Sequence, residues 1–146
     1  MRALIQRVKH AKVEVDGVAT GEIGHGILIF LGIHDEDNES TLDWMVNKCS
    51  QLRIFADEDG KMNKSVLDSN GDVLVVSQFT LYGNCHKGNR PSYVAAAHPS
   101  KAEPMYELFC SKMTERISKA VQTGQFGADM QVSILNDGPV TLWIER

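Results

Sequence analysis

No stretch of this chain approaches the roughly 18 consecutive apolar residues that a membrane-crossing helix requires. The opening residues, Met1 to Arg7, lack the apolar block and small-residue cleavage site of a secretory leader. A cytoplasmic protein with no membrane partner is therefore expected. Cysteine is scarce: Cys49, Cys85 and Cys110 are odd in number and far apart. That pattern argues against a disulfide framework and contains no C-x-x-C pair for zinc. The histidines, His10, His25, His34, His86 and His98, are equally scattered, with neither H-x-x-x-H nor H-E-x-x-H spacing. No metal and no cofactor is expected. Excess positive charge is lacking too. A net charge of −4 weighs against a broad phosphate-tracking surface, so any nucleic-acid contact should be local. Lys87, Arg90 and Lys101, with Lys61 and Lys64 on an earlier loop, form the one cationic grouping, and solvated loops account for it most simply.

What is present suits a single globular domain spanning residues 1–146, with 42% apolar and 23% charged residues. The first third alternates as strands do. Ile5, Arg7, Lys9 and Val13-Glu14-Val15 lead to a hairpin turn at Asp16-Gly17 and a second strand from Val18 to Ile23. Ile27 to Ile33 is a continuous apolar run suited to a strand buried on both faces. From Asn38 to Leu52 the period changes to three and four through Leu42, Met45, Val46, Cys49 and Leu52, which predicts an amphipathic helix, with Ser40 and Asp43 as its capping box. Arg53-Ile54-Phe55 reads as a short strand, and Asp72 to Leu81 as a longer one. A second helix is expected from about Ser100 to Thr123, stopped by Gly124. Two closing strands, Met130 to Leu135 and Val140 to Ile144, flank a turn at Asn136-Asp137-Gly138-Pro139. The expected fold is α+β: a mainly antiparallel, barrel-like sheet with two covering helices.

Two segments break these patterns. In Ser77-Gln78-Phe79-Thr80, polar residues follow four buried-type residues at the end of a core strand. Such ends hold side chains and backbone N–H groups rigidly yet accessibly, although Ser77 and Thr80 could equally satisfy backbone groups there. In Asn136 to Thr141, proline is excluded from a central strand, so Gly138-Pro139 must form a turn or strand edge. By residue type the bond is expected to be trans; a cis bond would aim two successive carbonyls the same way. Lys87 to Tyr93 combines cations, a glycine and an aromatic, and alone it reads as a basic surface loop.

Together, Met1-Arg2-Ala3-Leu4-Ile5-Gln6-Arg7-Val8, Ser77-Gln78-Phe79-Thr80-Leu81, Lys87-Gly88-Asn89-Arg90-Pro91-Ser92 and Asn136-Asp137-Gly138-Pro139-Val140-Thr141 resemble the D-aminoacyl-tRNA deacylases, in order and across the chain. The resemblance implies hydrolysis of the ester joining a D-amino acid, or misplaced glycine, to the 3′ end of tRNA. It also implies a homodimer with sites at the subunit interface. Each Gly138-Pro139, cis, would reach into the partner's pocket and exclude L side chains by backbone carbonyls, with Arg7 supporting the turn. Ser77, Gln78, Phe79 and Thr80 would form the catalytic strand end, and the ribose 2′-OH of the tRNA would assist attack by water. Thr80 is a tempting nucleophile, but an alcohol needs a base, and its motif supplies none. His86 or His98 could serve only if folding brought one close. Backbone N–H groups around Phe79 and Thr80 are candidates for the oxyanion contacts. Two rivals remain: a hydrolase using Thr80 or Cys85 as nucleophile, and a non-catalytic binder of RNA ends.

Overall fold

The computed structural model describes residues 1–146, and β1 (Arg2–Val15) is the strand around which the sheet is assembled. Along one edge β1 pairs antiparallel with the last strand, β8 (Gln131–Glu145), over nearly its whole length. Along the other edge, Arg2 to Val8 pair with β3 (Gly26–Gly32), and Ala11 to Val15 pair with β2 (Val18–Ile23). The sheet then departs from the antiparallel expectation. β3 pairs in parallel with β6 (Asp72–Ser77), and β6 in parallel with β7 (Gln122–Thr123). Parallel neighbours need long crossovers, and α1 (Glu39–Gln51) and α2 (Pro99–Ile117) supply them. β7 returns against β2 so closely that a β-carbon on Gly21 would lie 2.5 Å from Thr123 O. The sheet is thus mixed and nearly closed, with β4 (Phe55–Ala56) and β5 (Met62–Lys64) forming a small separate hairpin.

β3 is buried on both faces, as its unbroken apolar run requires. Ile27, Ile29 and Leu31 join Val73 and Val75 of β6 beneath the helices, while Leu28, Leu74 and Val76 point into the barrel with Val8, Val13 and Ile23. Each such fully buried side chain contributes about 1.5–3 kcal/mol. β1 changes sides between these layers. Ala3 and Ile5 face the helices, whereas Val8, Ala11 and Val13 face inward. The shift in pairing between Val8 and His10 inserts Lys9 as an extra residue, which reverses every side chain beyond it. Arg7, before the shift, is left on the helix side of the sheet.

Several boundaries differ from the sequence reading. Asn38, not Ser40, caps α1, its side chain accepting from Thr41 N at 3.1 Å. α2 stops at Ile117, because Ser118 takes a left-handed conformation (φ 54°), and Gln122–Thr123 becomes a strand. The short strand expected at Arg53 to Phe55 begins only at Phe55. The two closing strands are one, β8, with an excursion inside it.

Candidate functional site

β6 ends at Ser77, four residues before the expected Leu81, because its neighbour β3 runs out of backbone to pair with at Gly32. The last ladder bond is Gln78 N to Leu31 O, 2.8 Å. The chain then tightens into a 3-10 turn, Phe79–Tyr82, closed by Leu81 N to Gln78 O and Gly83 N to Thr80 O. Gly32 allows this turn to pack close: a β-carbon there would sit 3.1 Å from Gln78 O. Phe79 and Thr80, at the start of the turn, have N–H groups with no acceptor inside it. Gln78 Nε2 donates to Thr80 Oγ1, and no imidazole, ammonium or carboxylate is bonded to that hydroxyl. Phe79 is 57% exposed, and its ring meets Tyr93 edge to face at 5.1 Å.

Ser77, Gln78 and Phe79 form one wall of a cavity of about 430 Å³. Tyr93, Ala102 and Phe126 line it further, giving an apolar hollow with few polar groups, a composition typical of small-ligand sites. α2 starts at its rim. His98 caps that helix, its Nδ1 accepting from Ser100 N at 3.3 Å and lying 2.9 Å from Ser100 Oγ, with Pro99 in the first helical position. The histidine that folding brings to the cavity is therefore engaged in capping and makes no bond to Thr80. His86 stays exposed on the loop beyond Gly83. His98-Pro99-Ser100 carries a readable helix-start pattern, whereas Ala102 and Phe126 reach the cavity through packing that no local pattern announces.

The second motif occupies the excursion in β8. Register passes from Gln6↔Thr141 directly to Val8↔Asn136, so residues 137–140 bow out opposite Arg7. Thr141 Oγ1 ties the base of the bow, accepting from Asn136 Nδ2 at 3.1 Å and Gln6 Nε2 at 3.3 Å. The Gly138–Pro139 peptide is cis, against the trans expectation from residue type. Arg7 grips the bow from beneath. Its Nε lies 3.0 Å from Asp137 Oδ2 in an ion pair whose angle falls short of a hydrogen bond, and its Nη1 donates to Ile54 O. Gly138 holds φ at +113°, and a β-carbon on it would stand 2.7 Å from Arg7 Nη2. Gly138 and Pro139 are themselves exposed and take no part in lining their own chain's cavity. Within one chain, then, the two motifs are not brought together.

The cationic grouping read from the sequence is dispersed. Lys64 is paired with Glu58, and Lys101 Nζ donates to Asp35 O. Lys87 and Arg90 project from a loop pinned at its base by Asn84 and Ser92, which exchange backbone bonds of 2.8 and 2.9 Å. Cys85 on the same loop is exposed, and Cys49 is buried.

Comparison with known proteins adds four matches. A family model described as D-Tyr-tRNA(Tyr) deacylase matches residues 4–145. A D-aminoacyl-tRNA deacylase of Salinibacter ruber is 52% identical over 146 residues, covering 100% of this chain and 97% of that protein. Its counterpart in Dechloromonas aromatica is 54% identical over 145 residues, covering 99% and 97%. Among solved structures, the c-Myc DNA Unwinding Element Binding Protein superposes with a TM-score of 0.94 at 44% identity, covering 100% of this chain and 99% of that one.

Proposed function

Because the chain belongs to the D-Tyr-tRNA(Tyr) deacylase family, we propose that it hydrolyses the ester of D-aminoacyl-tRNA and glycyl-tRNA and rejects the L-aminoacyl ester by main-chain exclusion. Water attacks the aminoacyl carbonyl, the acyl–oxygen bond breaks, and the ribose oxygen leaves with a proton. The amino acid and the tRNA are released. Residues 1–146 work as one deacylase domain, in the cytoplasm, where charged tRNA is found.

The observation that carries this reading is the Arg7-clamped bow at Asp137-Gly138-Pro139, whose tip, Gly138-Pro139, is exposed and offers only main-chain polar groups, the Asp137 carboxylate being held by Arg7. Placed beside the α-carbon of a bound ester, its carbonyl oxygens exclude a side chain of L configuration and leave room for hydrogen or a D side chain. Discrimination of this kind ignores what the side chain is, so many D-amino acids are treated alike and glycine passes.

Since the bow does not line its own chain's cavity, a second copy of the chain provides the other half of each site, and the working form is a homodimer. The surface of β8 favours such an assembly. One edge of this strand pairs with β1, and Ile134, Leu135 and Trp143 on it are 39%, 57% and 48% exposed.

In the cavity, Phe79 walls the terminal adenosine, Ser77 and Gln78 position the ester, and the N–H groups of Phe79 and Thr80 face the developing oxyanion. Thr80, bonded to Gln78 and lacking a base, is a positioning residue. The tRNA ribose 2′-OH assists the water, so the protein supplies orientation and exclusion. Single-turnover release of D-Tyr, L-Tyr and Gly from their tRNAs tests the reading. D-Tyr and Gly are expected to be released and L-Tyr retained; equal release of both tyrosine enantiomers would end it.

A further inference from the structure

α1 and α2 end side by side, and between their last turns and the start of the β4–β5 hairpin lies an open groove of about 680 Å³. Lys48, Arg53 and Arg116 line it together with Trp44, Asn47 and Gln51, and no carboxylate does. In a chain of net charge −4, such a surface is out of keeping with the whole. Cations in the last turn of a helix offset its dipole, which accounts for Lys48 and Arg116 in part. Two helix C-termini carry only about −0.5 each, however, so three full positive charges leave the groove clearly positive. Lys48 and Arg116 have no anionic partner. The Lys112 beside them already absorbs Glu39 and Asp43, at 2.8 and 2.6 Å. Arg53 is pre-oriented by Asn63, which accepts from its Nε and Nη2. Lys48 and Arg146 flank the half-buried Trp44 ring, at 5.4 and 5.2 Å from its centroid.

Two guanidinium groups, one of them held by Asn63, an ammonium, two amides and an indole, with no carboxylate lining the groove, are the chemistry that receives a sugar-phosphate backbone. We propose that this groove docks the phosphodiester backbone of the tRNA, beyond the unpaired 3′ end, and so fixes the orientation in which the ester enters the cavity. The inference rests on the deacylase reading for the identity of the polyanion.

Two links tie the groove to the site. Ile54, next in the chain to Arg53, gives its carbonyl to Arg7, the residue that holds the Gly138–Pro139 bow this chain offers to the cavity of the second copy. Along α2, Ala102 at the cavity and Arg116 at the groove are separated by roughly 21 Å at 1.5 Å per residue. That span covers several phosphates of one strand, so a single RNA strand can run from the cavity to the groove. The net charge of −4 gives the chain no general attraction for a polyanion, so local clusters such as this groove carry the contact.

The experiment compares wild type, Lys48→Glu/Arg116→Glu, Lys48→Gln/Arg116→Gln and a Lys61→Glu control from the β4–β5 hairpin. Two esters are used, D-Tyr-tRNA and D-tyrosyl-adenosine, with binding of uncharged tRNA measured alongside. The Gln pair is expected to raise KM for D-Tyr-tRNA about tenfold with kcat unchanged, and to flatten the salt dependence by about one per cation removed. The Glu pair should do more, Lys61→Glu little, and D-tyrosyl-adenosine should be cleaved alike by all four. Unchanged KM, salt dependence and tRNA affinity in both pairs, with wild type active, would overturn the groove and spare the deacylase reading. Loss of tRNA affinity in the pairs, with no hydrolysis even by wild type, would uphold the groove and overturn that reading.

Discussion

Arg7 Nη2 stands 2.7 Å from the point where a side chain on Gly138 would begin. The guanidinium that pairs with Asp137 thus also fills the space beneath the bow, so the arginine and the glycine are mutually required. At Gly138→Ala the positive φ adds about 1–3 kcal/mol of backbone cost to the clash. Thermal melts should show a modest loss of stability. Deacylation of D-Tyr-tRNA should fall much further than stability does, because the bow must shift away from Arg7.

Arg7→Lys keeps a charge near Asp137 but cannot also reach Ile54 O with a planar fork. The bow is then held at one point. The ratio of D-Tyr to L-Tyr release is expected to drop by about tenfold, equivalent to about 1.4 kcal/mol of lost discrimination. Parallel single-turnover assays on the two esters read that ratio directly. An unchanged ratio would remove Arg7 from the discrimination.

Thr80→Ala deletes a hydroxyl that accepts from Gln78 Nε2, with no base attached. Activity within about tenfold of wild type is expected, since one neutral hydrogen bond contributes only ~0.5–1.5 kcal/mol. A loss beyond a thousandfold would restore an alcohol nucleophile to the mechanism.

Burial pushes the Cys49 and Cys110 thiols up to about 12, so neither supplies thiolate near neutrality. Cys85 is exposed. Iodoacetamide at pH 8 should therefore alkylate Cys85 in the native protein and spare the other two until denaturant is added, as peptide mass mapping would show. Deacylation should survive the modification. Its abolition would revive the cysteine hydrolase alternative.

Arg2 donates to Glu145 across the β1–β8 pair, and that bond, ahead of the charge attraction between them, holds the Glu145 carboxyl below its ordinary 4.5. A carboxyl with a depressed folded pKa stabilises the fold above its unfolded value, and that contribution is lost as pH falls through the folded value. Melting temperature should be flat above about pH 5 with respect to this group and fall below it. Glu145→Gln, which cannot titrate, should show a shallower decline than wild type across the same range.

The parts of this molecule that were legible in advance are those written in local periodicity and chain-wide motif order. The unbroken apolar run at β3 announces a strand buried on two sides, and the three-and-four spacing of Leu42 to Cys49 announces α1. Ser77 to Thr80 and Asn136 to Thr141 stand out because polar groups and a proline interrupt apolar strands. What local pattern could not give depends on partners distant in sequence. The strand at Asp72 ends at Ser77 because β3 stops pairing, and β3 lies forty residues earlier. Parallel pairing of β3, β6 and β7 depends on how two helices cross over the sheet, which no single strand encodes. Lys9 turns β1 inside out through a one-residue register shift against β8, so that Arg7, just before the shift, keeps the helix-side face of Ala3 and Ile5, beneath Gly138, while Ala11 and Val13 face inward. Likewise, Lys48, Arg53 and Arg116 are scattered cations in the chain, gathered into one groove only where α1 and α2 end together. Sequence determined which groups exist and which segments are regular, since both are set within a few residues. Tertiary structure decided which groups meet, because close approach across the chain is fixed by packing and register.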